Sequence, residues 1–183
     1  DPRKELSGKL KIVYNYKYWK AYLENNYRNS RFVSKTNNLI IDRKINTLTS
    51  KIGFRSVFIN SPNFDISYKE VSSNNENIGF KNIYKRKKFD FSVEYEKGNW
   101  QFFGEILHNF YKNKTTGFKN LFTEINSSVF YHREDSLWSF EVKANNLLDN
   151  KYKLNSNFTE VLQTENKIYV FPRTIMFKII YKL

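Results

Sequence analysis

Thr174-Ile175-Met176-Phe177-Lys178-Ile179-Ile180-Tyr181-Lys182-Leu183 is the stretch that decides the fold class. Ile175, Phe177, Ile179, Tyr181 and Leu183 fall on one side of a period-two repeat. Thr174, Lys178 and Lys182 fall on the other, with Met176 and Ile180. Successive side chains of a β-strand point to opposite faces, so this spacing predicts a strand with one apolar face. The same pattern recurs upstream. Trp138, Phe140, Val142 and Ala144 alternate with Ser139, Glu141, Lys143 and Asn145. Phe89, Phe91, Val93 and Tyr95 alternate with Asp90, Ser92, Glu94 and Glu96, and Leu10, Ile12, Tyr14, Tyr16 and Tyr18 with Lys9, Lys11, Asn15 and Lys17. Helical periodicity is almost absent, so the chain reads as all-β.

The alternation predicts strands near 8–17, 19–29, 44–58, 63–72, 86–96, 99–112, 118–132, 137–146 and 168–183. Tyr18-Trp19, Asn60-Ser61-Pro62, Lys97-Gly98-Asn99 and Arg133-Glu134-Asp135-Ser136 read as tight turns. Longer polar connections are expected at 30–43, 73–85, 113–117 and 147–167. Short turns at one end and long loops at the other describe an outer-membrane barrel, whose strands need about 9 to 11 residues to cross. A soluble sandwich or lipocalin-like barrel has the same alternation with its faces reversed. Two features favour the membrane. Aromatics gather near strand ends (Tyr14, Tyr16, Trp19, Tyr95, Trp100, Tyr131, Trp138, Tyr181), as interfacial girdles require. Six Gly and three Pro are also few for a soluble barrel with so many turns.

Composition narrows the classes. The 183 residues suit one domain, and 18% aromatics are too many for a disordered chain. No run approaches the ~20 apolar residues of a spanning helix. The start, Asp1-Pro-Arg-Lys-Glu, has no apolar core, so no signal peptide is expected within this sequence. The lack of Cys excludes a disulfide scaffold, thiolate zinc sites and Cys nucleophiles. A net charge of +13 suggests nucleic acid or an anionic surface, but the basic residues are spread over every strand and loop.

The C-terminal third carries a resemblance as well as a pattern. Trp138-Ser-Phe-Glu-Val-Lys-Ala-Asn-Asn-Leu-Leu-Asp-Asn-Lys-Tyr152 resembles the penultimate strand and following loop of TonB-dependent outer-membrane receptors. There an aromatic strand ends in an Asn-Leu-hydrophobic-Asp/Asn motif, here Asn146-Leu147-Leu148-Asp149. An aromatic-x-x-Pro-Arg motif then opens the last strand, here Tyr169 to Pro172-Arg173. The resemblance spans residues 119–183. Asn146 and Asp149 can close the strand exit with side-chain-to-backbone turns, and Pro172 stands where no ladder donor is needed. Phe177, Ile179, Tyr181 and Leu183 are similar to the signal read by the barrel-assembly machinery, with Leu183 standing where that signal usually carries an aromatic.

What the resemblance implies is an antiparallel transmembrane β-barrel segment in the outer membrane of a Gram-negative bacterium. It would be about nine C-terminal strands of a larger barrel of about 22 strands. Nine is odd, whereas bacterial single-chain barrels have even strand numbers, so further strands are expected upstream; the resemblance implies a plug and a TonB-contacting segment there as well. The implied activity is energised nutrient uptake; the alternative is a receptor-like barrel serving as a scaffold in a larger outer-membrane assembly, and a third, less favoured reading of the residues is a soluble basic barrel that binds nucleic acid. Phe89, Phe91, Val93, Trp138, Phe140, Val142 and Ile175 are the expected lipid-facing residues. Implied partners are outer-membrane lipid and lipopolysaccharide, the assembly machinery, TonB, and a surface lipoprotein or other subunit. No cofactor and no nucleic acid is expected.

The remaining chemistry is sparse. His108 and His132 lie on different strands and are expected as interface or pore residues. Glu94, Glu96, Glu105, Glu124 and Glu141 are expected on the polar face with Lys or Arg, not as a hydrolytic pair. No phosphate loop, Ser nucleophile elbow or His-Glu-x-x-His motif occurs, so no enzyme is expected. Lys85-Arg86-Lys87-Lys88, next to an aromatic strand, has two readings: a nucleic-acid patch, or a rim facing anionic headgroups. The second is favoured. Asn37-Asn38, Asn74-Asn75 and Asn155 to Asn157 mark loops that either bind a ligand or are simply solvated.

Overall fold

The computed structural model describes residues 4–36, 39–77, 80–158 and 163–182. Asn37, Asn38 and Leu183 lie outside the described residues, as do the side chains of Asn155 to Asn157. The described chain is all-β and has no helix. Its strands are β1 (Lys4–Tyr16), β2 (Trp19–Thr36), β3 (Leu39–Ser56), β4 (Asn63–Asn77), β5 (Phe80–Lys97) and β6 (Trp100–Asn113). They continue as β7 (Lys119–His132), β8 (Trp138–Asn145), β9 (Tyr152–Phe158), β10 (Gln163–Tyr169) and β11 (Thr174–Tyr181). Nine form one antiparallel sheet in the order β1-β2-β3-β4-β5-β6-β7-β8-β11, and β9 and β10 pair separately. The order does not return on itself, so the sheet is not closed into a barrel.

The tight turns have local causes. Tyr16 pairs with Trp19 across Lys17-Tyr18, and Lys17 takes φ 47°, as two-residue hairpin turns of the primed types require. Gly98 takes φ 57° at no steric cost. Asn63 stands in for a ladder residue. Its Oδ1 accepts from the Phe58 N–H at 2.5 Å, and its Nδ2 donates to the Phe58 carbonyl at 3.0 Å, closing the 57–62 loop.

Two expectations need correction. Most residues of the polar stretches 30–43 and 73–85 continue the strands, since β2 runs to Thr36, β3 starts at Leu39, β4 reaches Asn77 and β5 starts at Phe80. These stretches mix polar residues with Phe32, Val33 and Ile40 in no period-two order, so alternation disappears while backbone pairing persists. Likewise, 147–167 is not one loop. It contains β9 and much of β10, and Ile168 and Tyr169 belong to β10, so the last strand starts at Thr174, not at 168.

The chain divides into two compact units: residues 1–56, 66–89 and 109–121, and residues 57–65, 90–108 and 122–183. In the first, register places Tyr14, Ala21 and Phe54 in one row and Ile12, Leu23 and Ile52 in the next, all on one face. Ile12, Tyr14, Ile52 and Phe54 are exposed. The opposite face buries Ser30, Phe32 and Arg43. There the Tyr22 ring covers Gly53, where a Cβ would sit 2.2 Å from the ring.

In the second unit Trp138 pairs with Tyr181, Phe140 with Ile179 and Val142 with Phe177; Val129 and Tyr131 extend the same face onto β7. Rings meet along it: Trp138–Tyr181 at 4.6 Å, Trp100–Tyr131 at 4.8 Å and Phe140–Phe177 at 6.2 Å between centroids. The partition of burial is the reverse of that in a water-soluble protein. Among the described residues the buried apolar side chains are Phe32, Tyr111 and Phe122. The buried polar ones are Ser30, Arg43, Ser56, Ser67, Ser73, Asn82, Asn113, Ser139 and Asn146.

Candidate functional site

The strand exit after β8 is a hydrogen-bonded knot. Asn146 is 2% exposed and takes φ 50°; Asp149 takes φ 56°. Asn and Asp tolerate this left-handed region better than other residues with a Cβ, and their side chains can replace backbone partners. Asn146 Nδ2 donates to the carbonyls of Asn150 at 2.8 Å and Phe171 at 2.9 Å. Its Oδ1 accepts from the Asn150 N–H at 3.0 Å, and its own N–H donates to Asn126 Oδ1 at 2.9 Å. Asp149 Oδ1 accepts from the Arg173 N–H at 3.0 Å. The Leu147 N–H donates to the Ile125 carbonyl at 3.0 Å, and Asn150 Nδ2 donates to the Thr123 carbonyl. One turn therefore ties the edge of β7, the end of β8 and the segment before β11. Leu148, Pro172 and Arg173 are exposed around it. Asn126 and Asn150 were not singled out from the sequence. Asn150 directly follows the motif, but Asn126 carries no local signal, because its role depends on β7 lying beside the turn.

The apolar face holds the residues expected to meet lipid. Phe89, Trp138, Phe140, Val142 and Ile175 are exposed, and Phe91 and Val93 are half-buried. Phe177, Ile179 and Tyr181 are exposed on β11. Trp100, Val129, Tyr131, Phe140, Val142 and Phe177 line an open groove of about 310 Å³ in the second unit. Contiguous apolar surface of this kind is rare on soluble monomers.

The opposite face of the same unit is acidic. Glu94, Glu96 and Glu141 border a cavity of about 470 Å³ with Gln101 and Ser128. Glu141 faces Lys178 at 3.9 Å, while Asn126 Nδ2 donates to both Glu105 at 3.3 Å and Glu124 at 3.1 Å. His132 Nδ1 lies 2.7 Å from Ser139 Oγ, and His108 Nδ1 lies 2.8 Å from Thr123 Oγ1. Among the described residues no group of three or more His, Cys, Asp or Glu could hold a metal ion.

Alternation splits the basic run. Lys85 and Lys87 share the side of Phe89, whereas Arg86 and Lys88 take the other, with the Arg86 guanidinium 6.0 Å from the Tyr111 ring. In the strand extensions, Arg31 pairs with Asp42 at 2.5 Å and Lys81 with Glu76 at 2.8 Å. The Arg31 hydrogen bonds hold the Asp42 carboxyl below its ordinary value. The Lys81 hydrogen bond, then that of Asn74, does the same for Glu76.

No protein-family model, curated protein or solved structure matches the chain.

Proposed function

We propose that this chain forms barrel wall and loops of a TonB-dependent outer-membrane receptor that takes up a scarce nutrient across the outer membrane of a Gram-negative bacterium. The observation that carries the membrane reading is the reversed partition of side chains. Ser139 is 8% exposed while its neighbours Trp138 and Phe140 are 48% and 36% exposed. In water that arrangement leaves the apolar face uncovered; in a bilayer it places aromatic and aliphatic groups in hydrocarbon and polar groups away from it. The motif from Asn146 to Asp149 and the Pro172-Arg173 pair carry the family. In this reading the wall would surround a plug supplied by another part of the protein. Loops would capture the nutrient, TonB would drive release through the plug, and the assembly machinery would insert the barrel by its last strand.

The β9–β10 hairpin gives some weight to a second role, as a scaffold for a surface lipoprotein or another outer-membrane subunit. Tyr169 is 75% and Phe171 88% exposed beside it, more than solvated connecting segments require. Fractionation tests the main reading. The full-length protein should sediment with the outer membrane, need detergent for extraction and migrate differently on gels before and after heating. Release into buffer without detergent would remove the membrane reading. Copurification with a fixed partner, and no growth defect on any scarce nutrient, would favour the scaffold over the transporter.

A further inference from the structure

We propose that the row Lys11–Glu24–Lys51, on the polar face of the first unit, is a binding station for a multivalent oxyanion, and that the cargo passing this wall carries phosphate or carboxylate groups. This inference deepens the transport reading above and rests on it. Charge is unevenly shared between the units. The first holds most of the 31 Lys and Arg of the chain, and the second most of the 18 Asp and Glu. In the first unit the register sets Lys11 opposite Glu24 on β2, and Glu24 opposite Lys51 on β3. Neighbouring strands lie about 4.8 Å apart, so the two lysine backbones stand roughly 10 Å apart with the carboxylate between them.

The row is held from both sides. Lys9 Nζ lies 2.9 Å from Glu24 Oε1 and engages that carboxylate. The Tyr22 ring rests on Gly53, where a Cβ would meet it at 2.2 Å, and Lys51 Nζ lies 5.2 Å from the ring centre. One carboxylate therefore serves three ammonium groups. Among the described residues Lys11 and Lys51 have no ion pair of their own. Ile12, Leu23 and Ile52, each one residue further along, form the adjacent row on the apolar face. In the membrane reading the cations thus stand at the height of the hydrocarbon, on the side turned away from it. The interior of such a barrel is polar, its charged side chains tune selectivity, and Lys or Arg there favour anions. The shortage of anions continues along the face: Arg43 is 5% exposed, and its Nε and Nη1 have no hydrogen-bond partner. An oxyanion bridging Lys11 and Lys51 supplies the charge that Glu24, engaged by Lys9, does not. Lysine suits this as a compact point charge with three donors.

The test uses the full-length protein folded in a neutral detergent at physiological ionic strength, where long-range attraction is screened. Calorimetric titration follows its binding of tripolyphosphate, citrate and the neutral sugar maltotriose. The oxyanions should bind and maltotriose should not; binding of one oxyanion alone narrows the cargo to phosphate or to carboxylate. K11Q/K51Q should weaken oxyanion binding at least about tenfold, as the loss of two charge-assisted contacts implies, and K11R/K51R should keep it. K85Q/K87Q removes the same charge from the opposite face and should leave the affinity unchanged. Heat-modifiable migration shows that each variant is folded. No oxyanion binding, binding of maltotriose in its place, or an unchanged affinity in K11Q/K51Q would overturn the proposal. So would equal weakening in K11Q/K51Q and K85Q/K87Q, which would mean attraction to net charge alone. Failure of the membrane reading is separately visible, because that protein would enter buffer without detergent. A detergent-dependent, heat-modifiable protein that binds no oxyanion would remove the station alone.

Discussion

The pair β8 and β11 and the pair β2 and β3 are both antiparallel, yet their side chains follow different patterns. β8 and β11 are 8 residues each and alternate between an apolar and a polar side, apart from Met176 and Ile180 on the polar side of β11. β2 and β3 are 18 residues each; they alternate near the Lys17-Tyr18 turn and lose the pattern beyond Asn29 and Asn46. In the second half the faces carry pairs such as Arg31 with Asp42. The difference teaches that side-chain alternation and strand pairing are independent, since pairing needs only backbone donors and acceptors. Long strands can therefore stay paired where the side chains no longer alternate.

The strongest way to break this comparison is to put a charge on each pair. Phe140→Arg or Ile179→Arg should cost ~2 to 4 kcal/mol, as charge at a bilayer midplane does, and should abolish heat-modifiable folded protein. Asn46→Arg, on the same strand face as Ile52 and Phe54 but where the alternation stops, should leave folding unchanged. Equal damage at the three positions would mean that the two zones do not differ.

The knot after β8 comes next. Asn146→Ala loses its side-chain hydrogen bonds at a buried site and places Ala at φ 50°, so about 2 to 3 kcal/mol of stability should go. Asn146→Gly relieves the backbone but not the lost bonds and should recover only part. Urea titration of folded protein in lipid separates the two contributions. Gly53→Ala should cost less, about 1 kcal/mol, because the Tyr22 ring over Gly53 can swing aside.

These targets also mark what the amino-acid sequence made legible. The nine sheet strands were readable wherever Phe, Val, Ile or Trp alternated with charge, and the odd number followed from them. β9 and β10 were not: Tyr152, Leu154 and Phe158 do alternate with Lys153, Asn155 and Asn157, but the Asn-rich composition reads as loop, and β10 is apolar only at Ile168 and Tyr169. The turn residues Asn146 and Asp149 were legible from their type and spacing. Asn126 was not, since only the approach of β7 to the turn gives it a partner.

The smallest expected effect is on pH. Asp42 has its pKa lowered below the ordinary 3.8 by Arg31, so its contribution is present above that value and is lost as pH falls through the lower folded value. Glu76 behaves likewise below 4.5. Both side chains are partly open to water, at 41% and 36% exposure, so screening keeps the effect small. Amide exchange at the far ends of β2 to β5 should accelerate slightly below about pH 4, while β8 and β11 stay protected. Asp42→Asn should flatten the response of β2 and β3 only.

The central claim is that the apolar face meets lipid and the charged face does not. The chain has no Cys, so single-cysteine variants F140C, E141C, K178C and I179C can each carry one fluorophore without background. In vesicles, nitroxide-bearing acyl chains should quench probes at 140 and 179 strongly, and aqueous iodide should quench those at 141 and 178. Quenching by lipid at 141 and 178, with iodide reaching 140 and 179, would show that the faces are the reverse of those described here.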